Sequence, residues 1–302
     1  MAAGARWTDL LDPSPEELQA ELPAAVHERA LEQLLAPAQH DDEPRPKLEP
    51  HGDYVFGVLL VPTLAEDEVF YQEIDLVITR DQIVTVRKTP EGGRPPWDPE
   101  PARASCRDED NVALVAYHLV DDVAEHFLDL VDGLNDEIDA LEDNVEVWPS
   151  EQIRARLSGL RHDMLHIRRT LSPTRDAVRQ VIDNRVDLAG DEVFTHQVEL
   201  DFGNAYDKLL RAADNLELAR DLLAGVRDYH QAQIANEQND VMKKLTAIAS
   251  ILLLPTLIVG LYGQNFRNIP ELHWGWGYYW SLGLIAVTSF GQIVYFRRKG
   301  WL

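Results

Sequence analysis

Two mostly apolar runs lie near the C-terminal end of the sequence. The first run, 245–262, has 18 residues and the second, 278–296, has 19, and neither contains a charged side chain. A helix of either length is about long enough to cross roughly 30 Å of hydrocarbon. The pattern predicts two transmembrane helices joined by a short loop.

The middle of the chain has the apolar spacing of long helices. Apolar residues recur every three or four positions along 115–145 and along 153–167, which marks one face of a helix. A third helix is predicted from about residue 191 into the first apolar run, because no proline lies between Pro173 and Pro255. Such a helix has roughly 70 residues and a length on the order of 100 Å, so its apolar seam needs partners.

The N-terminal third mixes short helices and strands. Ser14 followed by Pro15 and Glu17 is typical of a capped helix start. Further elements are predicted as a helix at 25–35, strands at 54–61, 71–79 and 82–88, and a loop at 89–101. The predicted fold is therefore an α+β cytosolic domain, a long helical stalk and two C-terminal transmembrane helices. The predicted domain ranges are 1–105, 106–240 and 241–302, with an external loop at 263–277.

Basic residues flank both apolar runs on the same predicted side of the membrane. The flanking residues are Lys243, Lys244, Arg297, Arg298 and Lys299. Since cytoplasmic flanks are enriched in Lys and Arg, we expect both termini in the cytoplasm and a multi-pass protein of the plasma (inner) membrane.

The charge is unevenly distributed. The chain has a formal charge of −24; residues 1–240 carry 22 basic and 51 acidic side chains (−29), whereas residues 241–302 carry 6 and 1 (+5). The net negative charge of residues 1–240 disfavours binding to nucleic acid and attracts cations. Cys106 is the only cysteine, which predicts neither a disulfide framework nor a thiolate metal site. Walker, dinucleotide and nucleophile-elbow motifs are absent, so no enzyme activity and no organic cofactor are expected.

The loop between the two runs begins with Tyr262-Gly263-Gln264-Asn265-Phe266. With its flanking spans, this segment resembles the CorA family of divalent metal-ion (magnesium/cobalt) transporters, whose signature here is Gly-Met-Asn. The resemblance extends through 270–278 and into the N-terminal segment 45–56. It implies a pentameric funnel, in which Gly263, Gln264 and Asn265 form a selectivity filter, Glu271 in the outer loop attracts cations, and the first span lines the pore.

One face of the first span carries the residues to which the resemblance assigns the pore. They follow steps of three and four: Asn239, Met242, Leu245, Ala249, Leu253, Thr256 and Gly260. By resemblance, Asn239 and Thr256 are polar rings, and Met242, Leu245 and Leu253 form a hydrophobic constriction. For the apolar members, a lipid-facing or packing surface is the alternative interpretation. Pro255, at mid-span, could kink the helix, and its role in gating stays open.

The resemblance implies a divalent cation channel that takes up Mg²⁺, with Co²⁺ and Ni²⁺ as further ions, and that intracellular cation gates. The expected partners are four further copies of the chain, divalent cations as substrate and regulator, and the lipid bilayer. The regulatory sites are not assigned. Gln264 departs from the family's Met, which keeps open a ZntB-like Zn²⁺ transporter, with or without proton drive. A non-conducting, membrane-anchored scaffold is the alternative of another class.

Overall fold

A computed structural model describes residues 5–23, 26–38, 43–65, 68–90, 92, 94–190, 192–264 and 269–302. The chain divides into two compact units, Met1–Val226 and Arg227–Leu302. In the first unit, the strands and the long helices share one large hydrophobic core. The three-part domain division drawn from the sequence stays a prediction.

A five-stranded sheet organises the first unit. Its strands are β1 (Arg6–Leu11), β2 (Lys47–Pro50), β3 (Val55–Ala65), β4 (Glu68–Ile78) and β5 (Gln82–Arg87). Their spatial order is β1-β5-β4-β3-β2; β1 is parallel to β5 and the other pairs are antiparallel. The three predicted strands are confirmed as β3, β4 and β5, and the sequence analysis missed both outer strands.

Two short helices, α1 (Pro15–Glu21) and α2 (Glu28–Leu35), cover one face of the sheet. The capping box at Ser14 is confirmed, because its hydroxyl accepts a hydrogen bond from the Glu17 N–H. Leu18 of α1 and Leu34 of α2 are almost fully buried in the cluster beneath them.

Long helices build the other side of the core. After a short helix α3 (Glu100–Ser105), α4 (Val112–Asn144) and α5 (Ser150–Ile182) each run for 33 residues. The predicted stripe on α4 is buried from Val115 to Leu141 and packs against the sheet. Hydrophobic periodicity thus located both helices.

A buried ion cluster lies between β4 and the end of β5. The Lys88 ammonium donates to Glu73 Oε1 at 2.5 Å and to the Gln33 carbonyl oxygen at 2.8 Å, and it lies 2.9 Å from Asp75 Oδ2. All three ionisable side chains are buried, and Asp75 is fully enclosed. Burial and the neighbouring Glu73 carboxylate raise the pKa of Asp75 to about 8, against the opposing effect of Lys88.

The sixth helix, α6 (His196–Tyr262), has 67 residues and continues from the first unit into the second. At 1.5 Å per residue it is about 100 Å long, as the sequence predicted. In the second unit it is followed by a 3₁₀ turn (Pro270–His273) and by α7 (Gly277–Arg298). Among the described residues, α6 and α7 are the helices long and apolar enough to cross a membrane, and only 6% of each apolar window is buried. The two predicted C-terminal apolar helices are confirmed.

Candidate functional site

One side of the membrane part of α6 is less exposed than the rest. Ala247 is fully enclosed, Ile258 is nearly so, and Ser250 and Leu254 between them are half-buried. The amide of Gln292 on α7 donates to the Ser250 carbonyl oxygen at 3.3 Å, which links the two helices on this side. The spacing of these residues marks a single helix face.

The residues predicted to line a pore all lie elsewhere on α6. Each of the seven is exposed: Asn239, Met242, Leu245, Ala249, Leu253, Thr256 and Gly260. At 3.6 residues per turn, their mean direction is about 130° from that of the buried face. Leu253 is 70% exposed and Met242 and Leu245 are each 58% exposed. A single chain therefore leaves this face open to lipid, water or other copies.

The helix passes through Pro255 without ending. Proline has no N–H to donate to the carbonyl of Ile251, so one rung of the helical ladder is missing there. The next residue, Thr256, donates its hydroxyl to the Leu252 carbonyl oxygen at 2.8 Å. A hydroxyl bonded to its own helix can still offer its oxygen outward as an acceptor.

The first two residues of the predicted filter form the turn that directly follows α6. The Gly263 N–H donates to the Val259 carbonyl oxygen at 2.9 Å, and the Gln264 N–H reaches that of Leu261 at 3.4 Å. Both residues are exposed at the end of the helix. The third predicted filter residue, Asn265, lies outside the described residues.

The described residues before α7 come close to its first residue, Gly277. A Cβ atom at Gly277 would lie 2.2 Å from the Glu271 carbonyl oxygen, a separation at which something must shift. Glu271, the predicted cation-attracting acid, is half-buried in the 3₁₀ turn. Trp274 and Trp276 stack at 5.3 Å beside it, as suits residues at a membrane interface.

Almost the whole chain matches a known protein family. The family model described as CorA-like Mg²⁺ transporter protein matches residues 2–298. The cobalt/magnesium transport protein CorA of Thermotoga maritima is 30% identical over 283 residues, which are 92% of this chain and 77% of that protein.

Solved structures agree on the fold. The complete structure of the CorA magnesium transporter from Methanocaldococcus jannaschii matches with a TM-score of 0.78 at 20% identity, covering 98% of this chain and 91% of that one. The ZntB cytoplasmic domain from Vibrio parahaemolyticus matches with a TM-score of 0.56 at 16% identity, covering 76% and 88%. At these identities the likeness shows the fold alone.

The family match spans both units and both membrane helices, including the turn that follows α6. The similarity to the Thermotoga maritima protein covers 77% of that protein's length. The chain therefore belongs to the CorA-like Mg²⁺ transporter family.

Proposed function

We propose that this protein is a homopentameric transporter that carries Mg²⁺ and Co²⁺ as substrates along a path lined by α6. The observation that carries the proposal is the exposed face of α6, whose seven residues point away from the side that is buried and bonded to α7. Five copies of that face around one axis would enclose a path between membrane helices.

The outer end of the proposed path offers neutral oxygen atoms. Gly263, Gln264 and Asn265 supply backbone carbonyl and side-chain amide oxygens and no charge. Mg²⁺ gives up its water reluctantly, so a ring of such groups can bind the hydrated ion through its water molecules. An uncharged ring also binds weakly enough for the ion to leave again.

Further along α6, the proposed path narrows at apolar side chains. Rings of Met242, Leu245 and Leu253 would form constrictions that close when they lose water. Ala249 and Gly260 are small and would leave the path wider, while Asn239 and Thr256 would offer oxygen atoms to the hydrated ion. Pro255 would adjust the helix at mid-span.

Regulation would use the acidity of residues 1–240. Five bodies with a formal charge of −29 each repel one another, and intracellular cations bound between them would offset that repulsion and hold the closed state. In this proposal both termini are cytoplasmic, the membrane is the plasma membrane, and Glu271 attracts cations from outside.

The test is ion uptake into proteoliposomes that contain the purified full-length protein. Mg²⁺, Co²⁺, Ni²⁺ and Zn²⁺ are supplied one at a time, with and without a pH gradient. We expect Mg²⁺ and Co²⁺ to enter without a pH gradient, and Asn265→Ala to reduce the uptake at least about tenfold, the loss of roughly 1.4 kcal/mol of stabilisation. Asn268→Ala, in the same loop but outside the tripeptide, is the matched control and should retain uptake.

The other outcomes point to the alternatives. Gln264 in place of the family's Met is the reason to include Zn²⁺, and Zn²⁺ uptake that follows the pH gradient would favour a ZntB-like transporter. No uptake of any ion by correctly assembled protein would favour a membrane-anchored scaffold. Uptake by the Asn265→Ala variant equal to that of the wild type would show that the tripeptide does not line the path.

A further inference from the structure

Three side chains with metal-binding atoms converge in the first unit, at the start of α4. Cys106 follows α3, Asp110 lies in the loop before α4, and His118 is on the second turn of α4. The thiol sulfur, a carboxylate oxygen and an imidazole nitrogen all lie within 4.8 Å of one another. Among the described residues, this is the group of three or more Cys, His, Asp and Glu side chains close enough to share an ion.

Backbone groups hold these side chains in place. Asp110 is buried, its Oδ2 accepts from the Arg107 N–H at 2.8 Å, and the same oxygen lies 3.3 Å from His118 Nε2. The Cys106 thiol donates to the Ala102 carbonyl oxygen at 3.3 Å. The main chain around Asp110 is also fixed, because its carbonyl accepts from the Ala5 N–H at 3.0 Å.

The ligand types select a class of cation. A thiolate, an imidazole and a carboxylate suit Zn²⁺ and Co²⁺, whereas Mg²⁺ prefers oxygen ligands alone. In a tetrahedral zinc site the ligand atoms lie about 3.5 Å apart. Asp110 and His118 already meet this spacing at 3.3 Å, so only the longer separations, up to 4.8 Å, need to shorten, by about 1 Å. Three protein ligands leave a fourth position for water.

A catalytic interpretation of the same three residues fits less well. A nucleophilic cysteine needs a lowered pKa, but burial and the Asp110 carboxylate raise the pKa of Cys106 to about 11. Without an ion the thiol is therefore neutral and slow to react. A bound cation would displace the thiol proton to solvent as the metal–sulfur bond forms.

We propose that Cys106, Asp110 and His118 form a binding site for a divalent transition-metal ion of the Zn²⁺ and Co²⁺ class. The single cysteine in the sequence predicted that no thiolate metal site exists, but one thiolate completes a site when the fold adds an imidazole and a carboxylate. The site differs in chemistry from the proposed ion path, which offers neutral oxygen atoms. Metal binding at this site can therefore be tested independently of ion transport.

The experiment titrates purified full-length protein in detergent, free of other divalent cations, with Co²⁺ alone. Coordination by a thiolate gives an intense near-ultraviolet charge-transfer band. Cys106 is the sole cysteine of the chain, so such a band reports on this site and not on Co²⁺ held by oxygen atoms elsewhere. We expect the band to saturate at one Co²⁺ per chain, to disappear when Zn²⁺ is added, and to withstand excess Mg²⁺.

Variants identify the ligands. His118→Gln and Asp110→Asn should each weaken Co²⁺ binding at least about tenfold, and Cys106→Ser should abolish the band. His126→Gln is the matched control, because His126 lies two turns further along α4 and bonds to the Asp122 carbonyl oxygen. Circular dichroism and size-exclusion profiles check that each variant is folded.

Two results would overturn the proposal. One is the absence of a band in the wild-type protein at saturating Co²⁺; the other is His118→Gln binding as tightly as the wild type. If a variant fails to fold, alkylation of Cys106 in the wild-type protein decides instead. Zn²⁺ should slow this alkylation at least about tenfold, since a coordinated thiolate is shielded, and an unchanged rate would contradict the site.

Discussion

Gly277, the first residue of α7, has no room for a side chain. A Cβ atom there would lie 2.2 Å from the Glu271 carbonyl oxygen, so Gly277→Ala must move the main chain. Overpacking of this kind costs about 1–3 kcal/mol. We expect the melting temperature of the purified protein to fall by about 2–10 °C and cation uptake to fall with it.

Gly275 provides the control for this substitution. It lies two residues earlier, and a Cβ atom there meets nothing within 4 Å. Gly275→Ala should leave both melting temperature and uptake unchanged. Equal behaviour of the two variants would show that the close approach of Glu271 has no energetic consequence.

Asp75 gives the first unit a pH-dependent stability. The unfolded chain loses this proton near the ordinary pKa of 3.8, whereas the folded protein keeps it to about pH 8, because ionising a buried carboxyl is costly. The folded state therefore binds more protons between these values, and stability falls as pH rises through the window. We expect a slope on the order of 1 kcal/mol per pH unit, read from melting temperatures between about pH 5 and 8.

Asp75→Asn removes the titrating group and keeps its shape, so this slope should become shallower. Burial also raises the pKa of Glu73, which adds a slope of the same sign and leaves a remainder in the variant. Asp81→Asn, in the exposed turn between β4 and β5, is the control and should retain the full slope. A slope unchanged by Asp75→Asn would contradict the raised pKa.

Helix α6 can be tested one face at a time, because neighbouring residues point about 100° apart at the same depth. Leu253 belongs to the proposed path and Leu252 does not, yet both are exposed in the single chain, by 70% and 64%. Leu253→Asn should preserve assembly and raise cation uptake several-fold, since a polar ring no longer sheds water.

Leu252→Asn should instead place an amide in lipid or between helices and lower the yield of membrane-inserted protein without raising uptake. Uptake assays on purified protein and quantification of the membrane fraction measure the two effects. If Leu252→Asn raises uptake and Leu253→Asn lowers the yield, the path lies on another face of α6.

Strong periodicity made the long elements predictable, and weak local patterns hid the short ones. The α4 stripe and the charge-free spans identified their helices because many residues repeat one signal. In contrast, β1 contains Thr8 and Asp9, and its partner β5 follows 76 residues later in the register, so no local pattern predicts it. Strand β2 has four residues, one of them proline, and α3 begins at Glu100 inside what the sequence predicted as a loop.

The candidate sites show the same division. A repeat along one helix located the proposed path residues, whose exposure the structure reports although their role stays a prediction. Cys106, Asp110 and His118 follow no such repeat, because a loop brings the first two to the third. Only the folded main chain makes them neighbours.

For the whole assembly, charge is the quantity that a change of solvent can test. In a pentamer, five copies of residues 1–240 surround one axis, each with a formal charge of −29. Removal of divalent cations at low ionic strength should then loosen or dissociate the oligomer. Monovalent salt near 0.1 M, where the Debye length is about 10 Å, should restore part of the assembly by screening. Native mass spectrometry with and without a chelator measures this, and an oligomer indifferent to both treatments would argue against cation bridging.

The parallel pairing of β1 with β5 also fixes the order in which the chain can fold during synthesis. The offset of 76 residues in their register takes about 4–15 s to translate at about 5–20 residues per second. During that time β1 has no partner, so β3 and β4 can pair before β5 becomes available to β1. The Ala5 N–H reaches Asp110 only after that, so closure of the N-terminus belongs to the late steps of folding.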